Sequence, residues 1–203
     1  MKLYLNATSP FSRLAVVAAK LTENLPLSLT WVEPWENPDS LLAVNPLGQI
    51  PALELDEGAI SESLAICQYF QMAGQEQRLS LPQSSQEFTQ LGLAKGLMEL
   101  SFRFVALSRF HPQAGTLHQR SLDGVSRAVV RLNQDWHQQP WPPQTSLSQL
   151  VLLVALDYLQ LRLPEQHQQV TPELTSWCAE HPLQPALQHV SLEWLATQPA
   201  VIS

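Results

Sequence analysis

Cysteine is nearly absent: Cys67 and Cys178 are the only two in 203 residues. Two distant thiols supply neither a disulfide framework nor metal-ligand spacing, and such sparse use fits a reducing compartment. Each sits in an apolar helical pattern, the setting of a buried small hydrophobe rather than a reactive thiol. The six histidines are scattered, and His111, His118 and His137 lack the close helical spacing of a zinc pair, so no metal is expected. Positive charge is also scarce. Eleven Lys and Arg against eighteen Asp and Glu give a net charge of -7, with no basic footprint for nucleic acid or an anionic membrane surface. Long hydrophobic runs are missing too. Leu150 to Leu156 is bounded by Gln149 and Asp157, far short of a membrane span, and the opening Met1 to Asn6 is too short for a signal segment. A cytoplasmic protein is expected, and no internal repeat is visible.

Hydrophobic residues make up 45% of the chain and charged residues 14%, the balance of a globular protein with a real core. Its length suits one compact unit followed by a somewhat larger one. Leu3 to Leu5 reads as a strand, Pro10 to Thr22 as a helix with Pro in its first turn, and Leu27 to Val32 as a second strand. That is a βαβ unit with parallel strands. A short helix is placed at Pro38 to Val44. Ile50 to Leu55 alternates, turns at Asp56-Glu57-Gly58 and resumes at Ala59-Ile60, a hairpin. Helical spacing then runs from Ser61 to Ala73-Gly74, where a glycine of the helix-terminating kind stops it.

Gln75 to Ser85, polar and carrying Pro82, reads as an exposed linker. Beyond it the pattern is helical throughout: Ser85 to Phe110, ended by Pro112; Thr116 to His137; the very apolar Ser146 to Leu161; and shorter segments at Pro172 to Ala179 and Leu183 to Trp194. Ser146-Leu147-Ser148-Gln149 has the form of a capping box, with Gln149 making the reciprocal bond. The domains are therefore 1–76 and 84–203, joined by a linker at 77–83.

Three stretches in order, Thr8-Ser9-Pro10-Phe11-Ser12-Arg13, Asn45-Pro46-Leu47-Gly48-Gln49-Ile50-Pro51-Ala52-Leu53 and Ser61-Glu62-Ser63-Leu64-Ala65-Ile66, resemble the glutathione S-transferase superfamily. The likeness is to its small bacterial members that open on a Ser-Pro-Phe turn. Ser146 to Arg162 and Pro172 to Trp177 look like later helices of the same family. The resemblance implies an α/β thioredoxin-like domain that holds glutathione, then an all-α bundle.

It also implies roles. Ser9 opens the first helix, where unpaired amides and the helix dipole favour a thiolate; equally, a serine there caps the helix. Thr8 and Ser12 are rival hydroxyls within the same turn, and no Tyr or Cys is present there, which removes glutaredoxin-like mixed-disulfide chemistry. Ile50-Pro51 corresponds to a family cis-proline that leaves the Ile50 backbone open to the cysteinyl unit. Ser63 and nearby amides would receive the γ-glutamyl carboxylate while Glu62 meets its ammonium, unless Ser61 or Ser63 is simply a cap. Gln49 could add an amide contact and Arg13 an electrostatic one. Phe102, Arg103, Phe110 and Trp141 could border a second-substrate pocket, though apolar residues at helical spacing more often form core.

The expected function is therefore conjugation of the glutathione thiolate to a small hydrophobic electrophile by a homodimer, with Ser9 catalytic, Ser9, Gln49, Ile50, Pro51, Glu62 and Ser63 binding glutathione, and no metal. The alternative is a non-catalytic scaffold of the same fold acting through protein contacts.

Overall fold

Alternation at the start of the chain makes β1 (Lys2–Leu5), with Leu3 and Leu5 fully buried on one face and Tyr4 on the other. Tyr4 packs with Leu41 and Ala52, and Val32, Val44 and Ile50 lie around them. The computed structural model describes residues 1–22, 25–74, 78–111, 113 and 115–202. These form two compact units, Met1–Leu81 with Pro185–Ser203, and Pro82–Gln184.

In the first unit β1 is followed by α1 (Pro10–Lys20), β2 (Ser28–Trp31), a 3-10 turn at Pro34–Glu36, α2 (Asp39–Leu42), β3 (Ala52–Leu55), β4 (Gly58–Ser61) and α3 (Ser63–Ala73). The sheet order is β2-β1-β3-β4, with β1 parallel to β2 and the other neighbours antiparallel. This is the expected thioredoxin-like layer. Buried α1 residues from Leu14 to Ala18 cover it, and α3 lies beside α1, the Cys67 thiol reaching the carbonyl of Leu14 at 4.0 Å.

The end of α3 differs from the sequence reading. Gly74 has φ -81 and not the left-handed conformation of a helix-stopping glycine. Its role is close approach, because a Cβ there would lie 2.0 Å from Thr22 Cγ2. Thr22 is held in place by bonds from its hydroxyl to the Ala18 carbonyl and from Gln71 Nε2, both 2.9 Å. Residues 75–77, where the expected linker begins, lie outside the described residues, as does Pro112. The following segment is not wholly exposed, since Leu79 is buried and its amide donates to Gln71 Oε1.

Sequence reading put 84–203 in one helical domain, whereas Pro185–Ser203 clusters with the first unit. The amide of Leu29 donates to the carbonyl of Ala200, Trp31 Nε1 to that of Pro199, and Ser28 forms an isolated antiparallel bridge with Val201. No strand was expected in this half of the chain, and the bridge is short enough to leave no alternating pattern.

The second unit holds α4 (Ser85–Phe110), α5 (Thr116–Gln138), α6 (Leu147–Arg162), α7 (Pro164–His167) and α8 (Pro172–Ala179). α4 begins with a full capping box between Ser84 and Glu87. α6 is buried nearly all round, as its unbroken apolar run requires. The chain then continues through α9 (Gln184–His189) and α10 (Leu192–Ala196). No described helix is long and apolar enough to cross a membrane.

Candidate functional site

The strand registers bring three loops to one end of the sheet. Tyr4 pairs with Ala52, and Ala52 with Ser61. The exit of β1 (Asn6 to Ser9), the entry of β3 (Ile50-Pro51) and the exit of β4 (Glu62-Ser63) are therefore neighbours. The exit of β2 lies at the same end, because Leu5 pairs with Trp31.

Ser9 is the N-cap of α1. Its hydroxyl accepts the Ser12 amide at 3.2 Å and, among the described residues, donates to no protein acceptor. Pro10 follows at N1, where its missing N–H costs nothing. The rivals are placed differently: Thr8 is exposed, and Ser12 is fully buried with its hydroxyl unpartnered. Asn6, which sequence reasoning passed over, sets the turn. Its Oδ1 accepts the amides of Thr8 at 2.9 Å and Ser9 at 3.0 Å and the Thr8 hydroxyl at 3.2 Å. An Asn just beyond a strand and before Thr-Ser-Pro was the available signal.

The Ile50-Pro51 peptide bond is cis. No hydrogen bond within the described residues engages the Ile50 backbone. Asn45, also overlooked, shapes the approach: it is buried, its Nδ2 donates to the Gln49 carbonyl at 2.8 Å, and its Oδ1 accepts the Leu47 amide at 3.2 Å. Gly48 takes φ +63 within this loop, with Asn37 Oδ1 against the place where a Cβ would stand. Gln49 itself is exposed.

At the head of α3 the cap is Glu62, and neither Ser61 nor Ser63. Glu62 Oε2 accepts the Leu64 amide at 2.9 Å, and Oε1 accepts the Ser63 hydroxyl at 3.2 Å. Glu62 has φ 80 and ψ 123, a conformation that a side chain disfavours. Ser63 is buried at the first helical position, while Glu62 is exposed.

Residues 8–72 match the family described as glutathione S-transferase, N-terminal domain. A glutathione transferase family member from Pseudomonas fluorescens Pf-5 with bound glutathione is 25% identical, with a TM-score of 0.74 over 98% of this chain and 99% of that one. This is the glutathione S-transferase fold. The same Pseudomonas protein with bound S-(propanoic acid)-glutathione gives a TM-score of 0.70 at 25% identity, over 99% of this chain and 100% of that one. A class Gtt2 glutathione S-transferase of Vibrio parahaemolyticus shares the fold at 22% identity, with a TM-score of 0.73 over 96% of this chain and 99% of that one. The family match and these structures support the glutathione S-transferase superfamily for the chain. No curated protein sequence matches it.

Other candidates take structural places in the transferase fold. Arg13 donates from Nε to the Val190 carbonyl at 2.9 Å and from Nη2 to that of Leu187 at 3.1 Å, fastening the α9 end to α1. Trp141 is core: it is buried against the half-buried Trp136 and Trp177, and its carbonyl accepts Trp177 Nε1 at 3.0 Å. Phe102 is half-buried, and Arg103 and Phe110 are exposed on α4. Gln149 does not close the expected capping box. Its hydroxyl partner Ser146 does accept the Gln149 amide at 3.3 Å, but the side chain turns instead to the Gln144 amide, the Pro142 carbonyl and His181. Burial raises the pKa of both thiols, that of Cys67 far above its ordinary range and that of Cys178 up to about 12.

Proposed function

We propose that this chain is a glutathione transferase, joining the sulfur of glutathione to a small hydrophobic electrophile. The observation that carries the reading is the head of α3. A non-glycine residue is held at φ 80 with its carboxylate exposed, directly beside the amides of an eleven-residue helix. Backbone strain of this kind costs on the order of 1–3 kcal/mol and persists where a side chain is needed in place.

The γ-glutamyl end of glutathione carries both charges. Its carboxylate takes the Ser63 amide at the head of α3, where the dipole favours an anion, with the Ser63 hydroxyl turning to it from Glu62 Oε1, and its ammonium takes the Glu62 carboxylate. The cysteinyl unit pairs with the N–H and C=O of Ile50 as an added strand. Gln49 offers a further amide. The thiol then lies toward the α1 terminus, where the Ser9 hydroxyl has a proton to donate and its lone pair is already taken by the Ser12 amide. A thiol of pKa roughly 8.5 is lowered by about one unit or more in such a setting. The thiolate attacks the electrophilic carbon, a C–S bond forms, and the leaving group departs with its electron pair. On the same reading the protein works as a cytoplasmic homodimer.

Calorimetric titration with reduced glutathione tests this, on the wild type and on a Glu62→Ala, Ser63→Ala double variant. Saturable binding that the double variant loses supports the site. An absence of binding to the folded wild type leaves the non-catalytic scaffold reading in its place.

A further inference from the structure

The segment Pro199–Val201 lies along the outer edge of β2. Within that strand the amides of Ser28 and Val32 donate inward, to the Met1 and Leu5 carbonyls, so Leu29 and Trp31 present their backbone groups outward. The Leu29 amide donates to the Ala200 carbonyl at 2.8 Å, and Ser28 pairs antiparallel with Val201. In this register Gln198 would stand opposite Trp31, but the pairing does not extend that far, and the Trp31 indole donates instead to the Pro199 carbonyl at 2.9 Å.

Side-chain burial adds little to these bonds, because Ala200 and Val201 are both exposed, Val201 at 56%. The attachment to α10 is strained as well. Thr197 caps that helix, and Gln198 follows at φ 50, its amide donating to the Leu195 carbonyl at 3.1 Å. Glycine is the usual residue in the left-handed position after a helix, and Gln198 keeps a Cβ there. Pro199 adds to the conflict, since a proline presses the residue before it toward extended backbone. The chain thus returns to its own β2 through a hinge whose side chain and whose successor both favour another conformation.

We propose that the outer edge of β2 is an interface between two copies of this chain, formed by exchange of the Pro199–Val201 segments. With Gln198 extended, the segment of each copy seats on the β2 edge of the other as an added strand. The bonds to Leu29 and Trp31 are remade between chains, so the closed and exchanged forms differ in two respects. Hinge strain favours exchange, and the entropy of association, which rising protein concentration offsets, opposes it. A second copy is the occupant because it brings the segment that fits this edge, with the Pro199 carbonyl placed for the Trp31 indole. The inference does not rest on the glutathione reading or on the homodimer stated with it.

Ser28 and Val201 are both exposed and, as opposed residues of an antiparallel bridge, stand close enough for a disulfide. The test oxidises the full chain carrying Ser28→Cys and Val201→Cys after equilibration at increasing protein concentration, and separates the products on a non-reducing denaturing gel. The closed form links within one chain, whereas the exchanged form gives a covalent dimer. The dimer share is expected to rise with concentration and to fall about tenfold when Gln198→Gly is added, because glycine relieves the hinge. Links confined to single chains at every concentration overturn the inference, as does a dimer share that Gln198→Gly leaves unchanged. A dimer band of equal strength in the Val201→Cys single variant is contact between exposed thiols, and it overturns the inference too. A double variant that forms no link at all refutes the seating of the segment, and the exchange with it.

Discussion

Replacing Glu62 by glycine and by alanine separates its two burdens. At an ordinary position glycine is less stable than alanine by about 0.5–1 kcal/mol, because it gives up more backbone freedom on folding. At φ 80 and ψ 123 the order should reverse. Both variants lose the carboxylate cap on the Leu64 amide, about 1 kcal/mol for alanine and a few tenths for glycine. Alanine also keeps a Cβ in the disfavoured conformation, a strain of about 1–3 kcal/mol that glycine relieves. Glu62→Gly should therefore be more stable than Glu62→Ala by about 1–2 kcal/mol and lie close to the wild type, a difference of several degrees in melting temperature for a chain of this size. Denaturant and thermal unfolding read the stability, and glutathione titration reads the site, where both variants should lose binding alike. An alanine variant as stable as the glycine one refutes the strain. A glycine variant that binds glutathione like the wild type refutes the role of the carboxylate.

Other outcomes follow from particular contacts. Ser9→Ala should lower kcat/KM by about tenfold and raise the pKa of bound thiol by about one unit, read by thiolate absorbance; full turnover in Ser9→Ala with loss in Ser12→Ala or Thr8→Ala reassigns the hydroxyl. Gly74→Ala should destabilise the first unit by about 1–3 kcal/mol, since its Cβ meets Thr22 Cγ2 at 2.0 Å and Thr22 is bonded in place; an unchanged unfolding midpoint contradicts the close approach. His181 is buried, takes the Leu183 amide on Nδ1 at 3.1 Å, and meets Gln149 Oε1 through Nε2 at 2.8 Å; burial lowers its pKa from 6.5 to about 4. Below its unfolded value the unfolded chain binds the extra proton, so this stability is complete above pH 6.5 and lost progressively toward pH 4, on the order of 3 kcal/mol. Trp177 fluorescence should report the loss, the rings being 4.6 Å apart, and His181→Gln should flatten the slope.

Local pattern was enough for much of the fold. Ser85–Phe110 and Pro172–Ala179 have the bounds that periodicity and caps indicate, and the hairpin turns where Asp-Glu-Gly marks it. The misses arise where a distant group takes over. Leu183 to Trp194 reads as one helix, yet it divides into α9 and α10, because Arg13 takes the carbonyls of Leu187 and Val190 while Ser191 starts a new cap on Trp194. The Gln149 side chain satisfies the capping pattern on paper but is drawn to His181, 32 positions away. At the candidate site the sequence picks out Ser9, Ile50, Pro51, Glu62 and Ser63, and the registers gather them at one sheet end. The strain at Glu62 and the loop-setting bonds of Asn45 are conformational, and no spacing rule shows them, whereas Asn6 is marked by its place between a strand and Thr-Ser-Pro.

The return of Pro185–Ser203 to the first unit bears on how this architecture can be recombined. A cassette cut after Leu81 would strip partners from the Leu29 amide, the Trp31 indole and the Arg13 guanidinium at once. Chimeras that exchange the thioredoxin-like half between relatives should therefore carry the matching C-terminal segment. The unit of inheritance here is discontinuous, two pieces of chain that must travel together.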